Sequence, residues 1–94
     1  MSVFRKFEFR TGSITRCKKW ESILQEKGIK YEDRASTLCG STTYIFTIQA
    51  DDEYYADETD ISDWELYGSN FANLKYICGL LCIPYDDVTL NYRE

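Results

Sequence analysis

Four strand-like segments interleaved with two amphipathic helical segments predict an α+β domain for this 94-residue chain. Three observations carry that prediction. Residues 3–10 and 42–50 alternate or run apolar with the period of a strand. Residues 14–24 and 71–81 repeat apolar side chains at the spacing of a helix. Capping and turn residues punctuate the boundaries between them.

Residues 3–10 place Val3, Phe7 and Phe9 on one face and Lys6, Glu8 and Arg10 on the other. Thr11-Gly12 turns the chain, and Ser13 is placed to cap a helix by accepting from its first amides. Ile14, Cys17, Trp20, Ile23 and Leu24 form that helix's apolar stripe. Gly28 suits the left-handed position past its last turn, with Ile29 folding back on Leu24. A second strand is expected over residues 30–36, with Tyr31 and Ala35 on one face. A hairpin is expected at Leu38-Cys39-Gly40-Ser41. Residues 42–50, β-branched and aromatic, are the strongest strand in the chain. Both faces there are fairly apolar (Tyr44, Phe46, Ile48 and Thr43, Ile45, Thr47), which suits a central strand.

The second helical region opens on Ser62-Asp63-Trp64-Glu65, a capping box, with Ile61 and Leu66 placed as its hydrophobic staple. Gly68-Ser69-Asn70 is an expected interruption, and Phe71, Leu74, Ile77, Cys78 and Leu81 resume the stripe. Ile83-Pro84 ends the helix, because proline restricts the residue before it and cannot continue the ladder. Val88, Leu90 and Tyr92 alternate as a last strand. The order strand, helix, strand, strand, helix, strand fits a single domain over residues 1–94. The expected arrangement is a ferredoxin-like βαββαβ two-layer sandwich, four antiparallel strands with two helices on one face. Its second and fourth strands lie at the edges. Lys30, Glu32, Asp33 and Arg34 discourage pairing at the second. Residues 88–92 are less protected and leave the chain a monomer or an edge-strand homodimer. A short extra strand at residues 53–56 is the expected departure from this plan.

Composition is that of a globular chain, 44% apolar and 29% charged. No segment is apolar over the eighteen or so residues a membrane span needs, and residues 1–10 lack the apolar run of a signal peptide. A cytoplasmic protein is therefore expected, with Cys17, Cys39, Cys78 and Cys82 as free thiols. Cys78 and Cys82 are one helical turn apart, but packing explains them better than a thiolate metal site. No metal and no cofactor are expected.

Charge is the chain's distinctive feature. Residues 1–34 carry nine basic and five acidic side chains, net +4; residues 35–94 carry two basic and eleven acidic, net −9. Eight of those acids and no base fall within residues 51–65: Asp51, Asp52, Glu53, Asp57, Glu58, Asp60, Asp63 and Glu65. Acids at a helix start gain about 0.3–1 kcal/mol each from its dipole, which accounts for Asp63, Glu65 and Asp60. The others repel one another without that return. Tyr54, Tyr55 and Trp64 are interleaved with them, and aromatics beside charges make contact surfaces. An EF-hand loop would need a glycine at its sixth position, and the segment has none.

These features rank the function classes. The chain has no histidine, hence no common general base near neutral pH and no nucleophile–histidine pair. Cys17, between Arg16 and Lys18 as nearby cations, is the one candidate nucleophile, and its helical position predicts burial. No glycine-rich phosphate loop is present, so no enzyme is expected. An RNA-recognition-type module shares the strand order, yet the third strand lacks the basic residue and glycines of that consensus. A pI near 4.7 also opposes phosphate binding, so no direct nucleic-acid binding is expected. A small-molecule-sensing domain of the same fold has no signature here. The favoured reading is a small acidic inhibitor that occludes the nucleic-acid-binding groove of a basic protein such as a nuclease. Its partner-binding residues are Asp51, Asp52, Glu53, Tyr54, Tyr55, Asp57, Glu58, Asp60, Asp63, Trp64 and Glu65. Phage proteins that block restriction or CRISPR nucleases, and nuclease immunity proteins, are analogous in size and charge; no family motif is shared.

Overall fold

Alternation of aromatic and charged residues makes the first strand, β1 (Lys6–Thr11), two-faced: Phe7 and Phe9 are buried while Arg10 is exposed. The computed structural model describes residues 4–52, 54 and 69–91. Ser13 then starts α1 (Ile14–Glu26), its hydroxyl accepting from the Arg16 amide at 3.2 Å. Gly28, at φ +71°, ends it. The Ile29 amide donates back to the Leu24 carbonyl at 2.9 Å, and both side chains are buried. This is the reciprocal helix stop that a left-handed residue permits.

The chain continues through β2 (Glu32–Leu38) and β3 (Ser41–Gln49). Leu38 pairs with Ser41 across a two-residue turn, with Cys39 and Gly40 both at positive φ, +52° and +80°. That is the turn whose twist matches a hairpin. β2 begins two residues later than expected, at Glu32. After residues 53–68, α2 (Ser69–Leu81) leads to a short 3-10 turn (Tyr85–Asp87) and β4 (Thr89–Asn91). At the end of α2 the Ile83 amide donates to the Cys78 carbonyl at 3.0 Å, with Cys82 at φ +57°. Cys82 thus takes the place that Gly28 has after α1. It is exposed and past the helix, not on the apolar stripe with buried Cys78.

The four strands form one antiparallel sheet in the order β2-β3-β1-β4. β1 and β2 therefore run parallel with β3 between them, and β2 and β4 are the edges. Phe7, Phe9, Phe46 and Ile48 lie on one face, in register Phe7↔Ile48 and Phe9↔Phe46. Both helices contribute to the core that covers this face, α1 through Cys17, Trp20 and Leu24, and α2 through Leu74, Ile77, Cys78 and Leu81. Phe9 and Phe46 stack at 5.5 Å, and Trp20 meets both edge-on. Burying each such ring stabilises the fold by roughly 2–3 kcal/mol. The Trp20 indole also donates to the Leu81 carbonyl at 3.3 Å, tying α1 to the end of α2.

Three expectations change at this level. Ile14 and Phe71, read as stripe residues, are exposed. Phe71 packs edge-on against Phe4 at 4.8 Å instead of entering the core. Every residue of β2 is exposed, Ala35 included, because the helices cover β1 and β3 and leave this edge bare. The expected strand at residues 53–56, the capping box at 62–65 and the staple of Ile61 and Leu66 lie outside the described residues, as does Tyr92. Among the described residues, no helix is long and apolar enough to cross a membrane.

Candidate functional site

β3 delivers the acidic segment to the end of the sheet where β1 and β2 begin. The Ala50 amide donates to the Arg5 carbonyl at 2.7 Å and closes the ladder. The chain then leaves the sheet at Asp51 and Asp52, whose carboxylates cannot enter the core. What holds it is a side chain of α2. Asn73, only 1% exposed, donates from Nδ2 to the carbonyls of Ala50, at 2.7 Å, and of Asp52. Its Oδ1 accepts from the Tyr54 amide at 3.4 Å. Both donor hydrogens and the acceptor of this amide are thereby used. Asn70, one turn earlier on the same helix face, donates from Nδ2 to the Phe4 carbonyl. The first two turns of α2 thus fasten both the chain entering β1 and the chain leaving β3.

Tyr54 closes the arrangement from outside. Its ring packs against the core and its hydroxyl donates to Asp52 Oδ2 at 2.5 Å. Burial, then that bond and the negative charge of Asp52, push the phenol well above the usual tyrosine range; the Lys30 amide on the same oxygen partly offsets them. Asp51 is exposed, and Asp52 and Tyr54 are half-buried. Of the expected partner-binding residues the structure thus places Asp51, Asp52 and Tyr54 together. Glu53, Tyr55, Asp57, Glu58, Asp60, Asp63, Trp64 and Glu65 lie outside the described residues. Arg5, whose carbonyl accepts from the Ala50 amide, and Lys30, whose amide reaches the Tyr54 hydroxyl, lie at the same end of the sheet. Between described residues, however, the ion pair that forms is Arg10 with Glu8 at 2.8 Å. It lies on the other face of β1 and involves neither Asp51 nor Asp52.

Asn73 was not legible as a site residue. Its position on α2 is apolar by periodicity, between Ala72 and Leu74. The signal that points to it is a polar residue on a helix face that must be buried, which requires a set of partners.

The remaining chemistry is sparse. Burial, then a hydrogen bond to Glu21 at 3.3 Å, pushes the Cys17 thiol up to about 11, and burial alone does the same for Cys78. Cys17 is therefore a thiol at neutral pH despite its cationic neighbours. Among the described residues, no group of three or more His, Cys, Asp or Glu side chains could hold a metal ion. The sheet face away from the helices carries Lys6, Glu8 and Arg10 from β1, with Thr43, Thr47 and Gln49 and the buried Ile45 from β3. RNA-recognition domains stack bases on aromatics at such positions; here Phe7, Phe9, Tyr44 and Phe46 face the helices. No protein-family model, curated protein or solved structure matches this chain.

Proposed function

We propose that the chain binds a basic protein through the acidic segment leaving β3, and that the surface it covers is a nucleic-acid-binding groove. The carrying observation is the fastening of Ala50, Asp52 and Tyr54 by buried Asn73. A solvated acidic loop needs no such anchor. A segment that presents carboxylates at a fixed angle does, because ordering them beforehand reduces the entropy lost on binding. Alternate positions of an extended chain lie about 6.5–7 Å apart, close to two nucleotide steps of about 3.4 Å each along DNA. Acids at that spacing offer a basic groove the charge pattern it normally meets. Tyrosines and Trp64 supply short-range contacts.

The fold proposed with this function is the ferredoxin-like split β-α-β arrangement. It is supported by the order β2-β3-β1-β4, by the parallel β1 and β2 with β3 between, and by the single core shared by both helices.

The test is charge reversal of Asp51, Asp57, Glu58 and Asp60 to lysine, leaving Asp52 to accept from Tyr54. Against the protein captured from a lysate by the unmodified chain, affinity is expected to fall by roughly a hundredfold or more. The unmodified complex is also expected to weaken steeply with salt. Equal affinity of the reversed chain, or a salt-independent constant, overturns the proposal.

A further inference from the structure

We propose that Tyr54 is a positioning residue for the docking surface: its hydroxyl ties the Asp52 carboxylate to the end of α1 and so sets its direction. This role rests on the docking reading above and adds to it which acid is held ready for the partner. The Tyr54 hydroxyl is engaged twice within the chain. It donates to Asp52 Oδ2 at 2.5 Å and accepts from the Lys30 amide. A phenol donates once, so this one has no proton left for a partner. The residue's own amide donates to Asn73 Oδ1 at 3.4 Å, and its ring packs on the core. Amide, ring and hydroxyl are thus each fixed by a different part of the fold.

The Lys30 end of this series of bonds is itself anchored. Gly28, at φ +71°, stops α1; the Ile29 amide returns to the Leu24 carbonyl at 2.9 Å, and Ile29 is buried. Lys30 follows directly, so the helix stop sets where its amide lies. Next along, the Tyr31 hydroxyl accepts from Gln25 of α1 at 2.9 Å. The Tyr54 oxygen therefore sits where the end of α1 decides, and the Asp52 carboxylate follows it. Asn73 of α2 meanwhile holds the Asp52 carbonyl. Backbone and side chain of one aspartate are held from two helices.

An aspartate on a surface turn ordinarily exchanges among its rotamers and loses that freedom when a partner's cation takes it. Asp52 has given up that freedom before binding. Charge alone does not separate it from Asp51, which is exposed where Asp52 is half-buried. The held geometry does, and it makes the Tyr54 hydroxyl act on the partner through Asp52.

Tyr54→Phe keeps the ring and removes the hydroxyl. In the full chain without any partner, Asp52 is expected to pass from one χ1 rotamer to an average, read from three-bond couplings, and the Lys30 amide to exchange faster. Against the protein captured in the docking test, Tyr54→Phe is expected to weaken binding by roughly three- to tenfold. Asp52→Ala is expected to weaken it as well, and adding Tyr54→Phe to Asp52→Ala to cost nothing further. A hydroxyl that met the partner directly would cost the same in both backgrounds, and that result overturns the positioning role. An Asp52 rotamer unmoved by Tyr54→Phe, or full affinity of that variant, overturns it too. Charge reversal without effect is a different failure: it overturns the docking reading, and this role with it, while the rotamer and exchange changes still register the bond.

Discussion

Asn73 sits where the periodicity of α2 calls for a hydrocarbon, and its cost is recovered through three backbone partners. Asn73→Ala leaves the Ala50 and Asp52 carbonyls and the Tyr54 amide without that partner, at about 1–3 kcal/mol for each group that stays buried. A loss of about 2–4 kcal/mol is expected in urea unfolding, accompanied by faster amide exchange at Tyr54. A loss under about 0.5 kcal/mol contradicts the clamp. Cys78 gives a second check through pH. Its folded thiol is pushed up to about 11 from an ordinary 9.0, so above pH 9 the unfolded chain loses its proton first. The stabilisation is complete below pH 9 and is lost as pH rises towards 11, of order 2 kcal/mol. Cys17 acts in the same direction. Cys78→Ala should therefore be less stable at neutral pH yet show a shallower decline between pH 9 and 11, read from urea midpoints. An unchanged slope contradicts the assignment.

At the scale of elements, the β2–β3 hairpin and the end of α2 each place a cysteine in the left-handed region, where a side chain costs about 1–2 kcal/mol. Cys39→Asn supplies the Asn-Gly pair this turn favours, and Cys82→Gly supplies the residue that ends α1. Each is expected to raise stability by about 1 kcal/mol, seen as a higher melting temperature; a drop in either contradicts the turn or cap as described. These sites also show what the sequence discloses and what it does not. The turn between Leu38 and Ser41 and the stop at Gly28 were legible because glycine marks positive φ. The stop at Cys82 was not, since cysteine carries no such signal and the proline two residues on set the expected boundary instead. The faces of β1 and β3 were legible from alternation. The bareness of β2 was not, because Tyr31 and Ala35 alternate as a half-buried strand would, and how far a helix layer reaches over an edge is a tertiary fact.

For the whole molecule, charge patterning pointed to the acidic segment, and its entry at Asp51, Asp52 and Tyr54 is held at one end of the sheet. The anchor came from a distant helix, which no local pattern discloses. Position matters to the mechanism proposed: acids projecting from a sheet end can enter a groove, whereas acids spread over a face meet only a flat partner. The most direct measurement is competition on the captured partner, with labelled nucleic acid displaced by this chain at low salt. Displacement by the unmodified chain is expected, together with none by the chain carrying lysine at positions 51, 57, 58 and 60. Simultaneous binding of nucleic acid and chain, or equal displacement by the reversed chain, would contradict occlusion by the acidic segment.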